Sequence, residues 1–231
     1  AQGGICVQRD EADYDSYFED TMKAGHYENR KESVDIMIRG SRDVIEDLVK
    51  FGVEFEQENG AFLYTKEGAH SVSRILFHKD VTGKEITSKL LQRVKERKNI
   101  SLLEYTTMTD ILEENGQCTG IVVENEHGMF RIFAEDTILA SGGIGGTYKH
   151  STNFPHLTGD ALRIAKKHGI RLEHLDYVQI HPTTLYSKKP GRRFLISESV
   201  RGEGAILYNK AGERFVDELL PRDVVTKAIH E

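Results

Sequence analysis

The chain of 231 residues carries 31 basic and 37 acidic side chains, which gives a formal net charge of −6. This balance excludes the basic excess with which nucleic-acid-binding proteins neutralise phosphates. With 38 % apolar and 29 % charged residues, the composition is typical of an α/β protein that has an apolar core. No apolar run approaches the roughly 20 residues needed to cross a bilayer, so we expect no membrane span.

The two cysteines and the two chain ends also carry information. Cys6 and Cys118 form no CxxC motif and have no nearby ligand cluster. We therefore expect a reducing compartment, the cytoplasm, and no bound metal. The sequence begins at Ala1 without a methionine and ends inside a helical pattern at Glu231. This predicts an internal segment of a longer protein.

Three stretches before residue 100 show helical spacing of apolar side chains. The first two run from about residue 13 to 25 and from 32 to 51, and Gly52 then stands where a left-handed residue commonly ends a helix. The third begins at Thr82–Glu85, which has the Thr-x-x-Glu spacing of a capping box. Its apolar stripe consists of Ile86, Leu90, Leu91 and Val94.

From residue 100 onward the apolar period changes to two, which predicts strands. Turn signals at Asn115–Gly116 and Glu126–Gly128 separate several of them. The predicted strands are 100–105, 108–112, 118–124, 129–134 and 137–140, and the last runs into a glycine-rich segment.

Beyond the glycine-rich segment the pattern is mixed. A helix is predicted over 159–168, extended pieces over 171–180, and a strand over 205–209. The last helix is predicted to start at Pro221, because proline is favoured at the first helical position. Mixed helices and strands of this kind predict an α/β or α+β fold.

Several features could carry chemistry, and each also has a purely structural interpretation. Gly142–Gly146 could bring backbone N–H groups to a phosphate, or could simply form a tight turn. Arg222, in the first turn of its helix, could face an anion together with the free N–H groups, or could pair with Asp223 or a neighbouring acid. If their segment is helical, Glu198 and Arg201 can pair on one face, and a pair at this spacing is usually solvated.

Two further segments are ambiguous in the same way. His181 precedes a proline, so its backbone is biased towards an extended conformation that fixes its direction, although a lone histidine is more often structural. The polar segment Thr65–Ser71 holds two titratable groups beyond its lysine, Glu67 and His70, and by default is an exposed loop.

Six motifs together resemble a known family. They occur in the order Ala1–Ile5, Leu139–Gly143, Thr158–Asp160, His181–Thr183, Ser197–Gly204 and Pro221–Asp223. They resemble the succinate dehydrogenase, fumarate reductase and L-aspartate oxidase flavoprotein family over the whole chain. The resemblance implies an α/β (α+β) fold: an FAD-binding domain over residues 1–174 that lacks its N-terminal GxGxxG unit, then the first part of a capping domain over 175–231.

One region separates the branches of this family. Glu67–Ser71, Arg74–His78 and Asp80–Gly83 resemble the aspartate oxidase branch, whereas the dehydrogenases and fumarate reductases carry a non-acidic segment there. A carboxylate such as that of Glu67 can hold a substrate ammonium group, which succinate lacks. Ala69 departs from the family pattern, which has glycine at that position.

The resemblance implies roles for individual residues. Glu67, His181 and Ser197 would bind a dicarboxylate, and Arg222 would be the catalytic acid/base with Glu198 and Arg201 as its proton relay. This role is unusual because the pKa of arginine normally exceeds 12, so it requires burial and a neighbouring Glu/Arg pair. The residues implied to lie along FAD are Ala1, Gln2, Gly3, Gly4, Thr107, Met108, Ala140, Ser141, Gly142, Gly143 and Asp160.

The implied reaction is FAD-dependent oxidation of L-aspartate to iminoaspartate, with electrons passed to oxygen or fumarate. The product would feed quinolinate and NAD biosynthesis, which makes quinolinate synthase a pathway partner. A fumarate reductase or succinate dehydrogenase flavoprotein is an alternative enzyme, and a non-catalytic segment of such an enzyme is an alternative of another class. Because part of the flavin site would lie before Ala1, we expect the isolated polypeptide to bind FAD weakly or not at all and to be inactive.

Overall fold

A computed structural model describes residues 3–231, so Ala1 and Gln2, two of the predicted cofactor residues, lie outside the described residues. The chain divides into two compact units. The first unit comprises the described part of Ala1–Ile100 together with Gln179–Thr183 and Ile196–Glu231. The second unit comprises Ser101–Val178 and Thr184–Leu195. The domain boundary expected at residue 174 stays a prediction.

The regular secondary structure of the first unit is mainly helical. Its helices are α1 (Tyr14–Ala24), α2 (Lys31–Lys50), α3 (Thr82–Lys95), α5 (Glu198–Gly202) and α6 (Arg222–His230). Four two-residue strands form antiparallel pairs: β1 (Ile5–Cys6) with β4 (Ile75–Leu76), and β2 (Gln57–Glu58) with β3 (Ala61–Phe62). The helices predicted over about 13–25 and 32–51 and the start of the third at Thr82 are confirmed to within two residues, and a 3₁₀ turn (Glu11–Asp13) precedes the first.

Helix α2 contributes side chains to both apolar clusters of the first unit, because its buried apolar residues recur at helical spacing along one face. Ile38 is completely buried in one cluster, and such burial stabilises the fold by about 1.5–3 kcal/mol. Gly52 ends α2 with a φ of 95°, as predicted. The two clusters comprise Tyr17, Met22, Val34 and Ile38 on one side, and Val7, Ile45, Leu48, Val53, Phe55 and Leu76 on the other.

The second unit is built on an antiparallel sheet in the order β5 (Thr107–Glu114), β6 (Gln117–Asn125), β7 (Gly128–Phe133). The turn between β5 and β6 has positive φ at Asn115 and Gly116, the conformation that asparagine and glycine favour in tight hairpins. Helix α4 (Asp160–Lys167) is joined to β5 by contacts of Lys167 and His168 with Asp110, which lower the pKa of Asp110 to about 2.

Three predicted strands are wrong. Residues 100–105 form no strand because Tyr105 adopts a left-handed φ of 54°, which breaks an extended run. Residues 137–140 have no strand beside them among residues 3–231, and Ile138 is 91 % exposed. Residues 205–209 form only the isolated bridge from Tyr208 to Arg214, since the N–H of Leu207 is taken by the Glu218 side chain instead of a neighbouring strand.

Two helix starts also differ from the sequence prediction. Thr82 and Glu85 do not form a capping box: the Thr82 hydroxyl accepts from the N–H of His78 at 3.0 Å, and the Glu85 carboxylate accepts from the N–H of Glu54 at 3.2 Å. Both side chains therefore hold neighbouring segments against α3. Pro221 precedes α6 in an extended conformation, so that Arg222 is the first helical residue.

None of the helices in the described part of the chain combines the length and the hydropathy that crossing a membrane requires.

Candidate functional site

Two short helices of the first unit bring charged residues together. Glu198 and Arg222 are the first residues of α5 and α6, and Arg201 lies one turn further along α5. The Nε of Arg222 donates to Oε2 of Glu198 at 2.7 Å, and its Nη2 donates to the same oxygen. Nη2 of Arg201 lies 3.5 Å from Oε1 of Glu198. One carboxylate therefore lies between two guanidinium groups.

Most of this cluster is shielded from water. The side chains of Glu198 and Arg201 are 6 % and 2 % exposed, whereas that of Arg222 is 34 % exposed. Burial lowers the pKa of Arg201, although the charge of Glu198 opposes the shift. The Nη1 of Arg201 donates to the Glu218 carbonyl at 2.5 Å, but its buried Nε has no hydrogen-bond partner among residues 3–231. The predicted solvated pair is therefore a buried one.

His181 reaches the cluster because its segment runs beside α6. The side-chain oxygen of Gln179 accepts from Nη1 of Arg222 at 2.7 Å, and the carbonyl of Ile180 accepts from the Thr226 hydroxyl at 3.4 Å. Burial, followed by the charge of Arg222, lowers the pKa of His181 to about 4. The imidazole of His181 is therefore neutral near pH 7.

Gln179 is a site residue that the sequence reasoning missed. It lies two positions before His181 in an extended segment, and residues at this spacing point to the same side of the backbone. The two-residue spacing from His181 was the feature of the sequence that could have identified Gln179 as a site residue. The predicted alternative partner of Arg222, Asp223, instead contacts Nε2 of His26 at 2.9 Å.

Ser197 immediately precedes α5 and is 5 % exposed. Its hydroxyl lies 3.3 Å from the hydroxyl of Ser199, and it does not cap the helix. Because Ser197 is the neighbour of Glu198 in the chain, the structure places both at the same helix start.

Glu67 approaches the cluster from a loop. Its Oε1 accepts from the N–H of Gly4 at 3.1 Å, and burial followed by the charge of Glu198 raises its pKa above the usual range. Gly68 lies so close to α5 that a Cβ there would be 2.6 Å from Oε1 of Glu198. A Cβ on Gly202 would similarly be 2.1 Å from the Lys66 carbonyl oxygen. The two glycines allow the loop and α5 to touch.

The predicted cofactor residues fall in both units. Gly3 and Gly4 belong to the first unit, where a Cβ on Gly4 would be 2.1 Å from Cγ2 of Ile75. Thr107 and Met108 begin β5 in the second unit, and Asp160 begins α4. The Asp160 carboxylate accepts from the Thr158 hydroxyl at 3.3 Å.

The glycine-rich segment of the second unit presents backbone donors to solvent. Ala140, Ser141, Gly142 and Gly143 are exposed, and in the part of the chain that is described their N–H groups donate no hydrogen bond. Around Gly143 there is open space, whereas a Cβ on Gly146 would lie 2.6 Å from the Phe154 carbonyl oxygen. The segment is thus packed at its far end and open at 140–143.

Comparison with known proteins identifies the family. The whole chain, residues 1–231, matches the FAD binding domain family. The chain belongs to this family. FAD is therefore its cofactor, and the free, exposed N–H groups of Ala140–Gly143 fit a group that carries phosphates.

Relatives and solved structures agree with this assignment. The chain is 50 % identical over 232 residues to an L-aspartate oxidase of Clostridium perfringens, and 46 % identical over 233 residues to that of Clostridium acetobutylicum. All of this chain is aligned in both cases, against 53 % and 54 % of the relatives. The chain thus spans about half the length of the curated relatives it matches.

The structural likeness extends to fumarate reductases. A quinol fumarate reductase of E. coli carrying a mutation superposes with a TM-score of 0.92 at 28 % identity, covering 100 % of this chain and 42 % of that one. A flavocytochrome c3 fumarate reductase gives a TM-score of 0.77 at 28 % identity, covering 100 % and 43 %. The resemblance to this flavoprotein family and the fold class are confirmed, while the roles of individual residues stay predictions.

Proposed function

We propose that this chain forms the substrate-facing part of an FAD-dependent enzyme that oxidises L-aspartate to iminoaspartate. The observation that carries the proposal is the Glu67 carboxylate beside the buried cluster of Glu198, Arg201 and Arg222. The relatives named L-aspartate oxidase support it. Oxygen or fumarate would take the electrons, and a quinolinate synthase would use the product for NAD biosynthesis in the cytoplasm.

The charges of the cluster suit an amino dicarboxylate. Glu67 offers an anionic oxygen to the substrate ammonium group, and this contact offsets the cost of keeping the partly buried carboxylate ionised. Ser197 and His181 would hold a substrate carboxylate. Because Nδ1 of His181 accepts from the N–H of Thr183 at 3.3 Å, the neutral ring carries its proton on Nε2 and can donate it.

The same cluster can move a proton. Arg222 is partly exposed and is hydrogen-bonded to Glu198, which lies between Arg222 and the buried Arg201. In the resting pair Arg222 is protonated, so it would first pass one proton to Glu198 and would then take a proton from the substrate in its place. Glu198 would exchange its proton with Arg201 on its other side in the same way, so that no proton need cross bulk water. When bound, FAD supplies the two-electron acceptor for the hydride of the substrate α-carbon.

The predicted cofactor residues would hold FAD. The free N–H groups of Ala140–Gly143 would face its phosphates, and Gly3, Gly4, Thr107, Met108 and Asp160 would lie along it, with Ala1 and Gln2. We retain residue 174 as the proposed end of the FAD-binding part.

A fumarate reductase or succinate dehydrogenase activity is the second candidate. The likeness to the E. coli quinol fumarate reductase, at a TM-score of 0.92, favours it. Both candidates use the Glu198, Arg201 and Arg222 cluster, but only oxidation of an amino acid gives Glu67 a cation to bind. The two candidates therefore make different predictions for Glu67.

The test is Glu67→Gln in the FAD-loaded protein at its full natural length. A hydrogen bond to a charged group contributes about 1.5–3 kcal/mol, so we expect kcat/KM for L-aspartate to fall about 10- to 100-fold, while fumarate reduction changes less than about twofold. Oxidation is followed by hydrogen peroxide release, and fumarate reduction by reoxidation of the reduced flavin.

Glu203→Gln is the matched control. Glu203 is an exposed carboxylate near the same loop, where it accepts from the Thr65 hydroxyl at 3.2 Å. This variant should leave both activities unchanged. Equal losses for L-aspartate and fumarate in Glu67→Gln would contradict the ammonium role, and a wild-type protein that oxidises succinate but not L-aspartate would replace the proposal by the second candidate.

A further inference from the structure

The Glu67 loop, residues 66–74, is closed at its base but has no regular structure inside. Thr65 and Ile75 exchange backbone hydrogen bonds of 2.9 and 3.1 Å, and β4 then continues from Ile75 to pair with β1. Between these ends no helix or strand fixes the backbone. The position of Glu67 therefore depends on side-chain contacts and on a backbone hydrogen bond from the N–H of Ala69, inside the loop, to the carbonyl of Leu219 at 2.8 Å.

Arg74 supplies most of those contacts. Its side chain is completely buried, and its guanidinium binds Asp13 at 2.9 Å, Asp20 at 2.5 Å and the hydroxyl of Ser16 at 2.7 Å. It also lies over the ring of Tyr17, 4.9 Å from the centroid. Four partners on or beside α1 thus hold the last residue of the loop.

Asp20 also binds the loop at a second residue, Ser71. Its Oδ2 accepts from both the N–H and the hydroxyl of Ser71, at 2.7 and 2.8 Å. Since the same oxygen accepts from Arg74, one carboxylate of α1 ties two loop positions together. A shift of Arg74 would therefore move Ser71 as well.

His70 links Arg74 to Cys6 of β1, close to the backbone that binds Glu67. Its Nδ1 lies 3.1 Å from Nη1 of Arg74, and because arginine can only donate, Nδ1 accepts. The ring proton is then on Nε2, which lies 3.4 Å from Sγ of Cys6 on β1. Burial lowers the pKa of His70 and raises the pKa of Cys6 to about 11, so both groups are neutral near pH 7.

Glu67 is fixed between these two anchored regions. Its carboxylate accepts from Gly4, two residues before Cys6, and its backbone is three residues before His70. Within the described residues the Glu67 carboxylate forms no ion pair, and Arg74 pairs with Asp13 and Asp20 instead. Arg74 therefore does not contact the Glu67 carboxylate. Any influence of Arg74 on substrate must act through His70, Ser71 and the loop backbone.

We propose that Arg74, held by Asp13 and Asp20, is a positioning residue that sets the Glu67 carboxylate for recognition of the substrate amino group. This inference rests on the proposed function. The planar guanidinium is required because it donates hydrogen bonds in different directions to four side chains, those of Asp13, Ser16, Asp20 and His70. The ammonium group of lysine is a compact point charge that cannot reproduce this geometry. Selectivity for amino dicarboxylates is thus determined partly by a residue that does not contact the substrate.

The test is Arg74→Lys in the FAD-loaded protein at its full natural length. We expect KM for L-aspartate to rise about tenfold, since a charged contact to the ammonium is loosened, while kcat and KM for fumarate reduction change less than about twofold. In the Glu67→Gln background the same substitution should change KM for L-aspartate less than about twofold. A purely structural role would not produce this dependence on Glu67.

Arg93→Lys is the control for the substitution itself, because Arg93 is exposed and, within residues 3–231, hydrogen-bonds only to the Phe51 carbonyl and Glu96. It should leave both activities unchanged. If Arg74→Lys does not fold, His70→Ala and His70→Gln replace it. The glutamine oxygen can still accept from Arg74, so His70→Gln should restore KM to within about threefold of wild type, while His70→Ala should raise it about tenfold.

The outcomes separate the two claims. If the wild type oxidises L-aspartate but Arg74→Lys impairs L-aspartate and fumarate equally, or acts equally in both Glu67 backgrounds, the positioning inference is overturned and the proposed function stands. If the wild type reduces fumarate but neither binds nor oxidises L-aspartate, both are overturned. Failure of His70→Gln to restore KM relative to His70→Ala also overturns the inference.

Discussion

Replacement of Gly202 by alanine tests the contact between α5 and the Glu67 loop. A Cβ at Gly202 would lie 2.1 Å from the carbonyl oxygen of Lys66 and 3.2 Å from its carbon. These are backbone atoms that cannot rotate away, so the segments must separate by about 1.3 Å to reach an ordinary contact near 3.4 Å. Overpacking of this kind costs about 1–3 kcal/mol.

The same displacement should affect catalysis. Lys66 precedes Glu67, and α5 carries Glu198 and Arg201, so separation of the two segments moves the ammonium site away from the buried pair. A misplacement of about 1 Å can cost roughly 100-fold in rate. We therefore expect kcat/KM for L-aspartate to fall between about 10- and 100-fold in Gly202→Ala.

The assay combines urea unfolding with steady-state kinetics of the FAD-loaded protein. Gly40→Ala is the matched control, because Gly40 also lies in a helix, and a Cβ there would meet nothing within 4 Å. Since glycine weakens a helix interior by about 0.5–1 kcal/mol relative to alanine, Gly40→Ala should raise the free energy of unfolding and leave the kinetics unchanged.

The reasoning is refuted by either of two results. One is a Gly202→Ala protein with the wild-type free energy of unfolding and the wild-type kcat/KM. The other is a Gly40→Ala protein destabilised as much as Gly202→Ala, because the loss would then come from the loss of glycine itself and not from the contact with Lys66.

Two further predictions concern stability. Ala69 has a φ of 65°, a left-handed conformation that costs alanine about 1–2 kcal/mol. Ala69→Gly removes this strain, but the greater entropy of glycine in the unfolded state opposes the gain by about 0.4–1 kcal/mol. The urea midpoint should therefore rise by the equivalent of up to about 1 kcal/mol, and a lower midpoint would contradict this. The pKa of His181 is about 4 in the folded protein and near 6.5 in the unfolded chain. Between these two pH values the unfolded state therefore binds more protons than the folded state. After discounting for the partial exposure of His181, we expect the free energy of unfolding to fall by about 1–2 kcal/mol as pH drops from 7 to 4. His181→Asn should remove that part of the pH dependence, and an unchanged profile would argue against the shift.

Much of this protein was determined by local sequence. The three helices before residue 100 and the hairpins of the second unit were predicted correctly because apolar periodicity and turn residues act over a few neighbouring positions. The Glu198 and Arg201 pair was predicted for the same reason, since three residues of helix fix their separation. The family was also recognisable from the order of its motifs alone.

Other features depended on segments far apart in the chain. The predicted strand at 137–140 failed because an apolar run does not by itself supply a neighbouring strand. The capping box at Thr82 failed because His78 and Glu54 compete for its two side chains. A local pattern shows what a segment can form, and the surrounding structure decides which hydrogen bonds it makes.

Only the tertiary structure decided which charged residues of the site are buried and which of them pair. Sequence spacing left Glu198 and Arg201 as a solvated pair and Arg222 as a partner of Asp223, whereas folding buries the pair and joins Arg222 to it across 24 positions. It also joins Arg74 to Asp13 over 61 positions. Electrostatic strength depends on burial and on through-space distance, and neither quantity is a local property of a sequence.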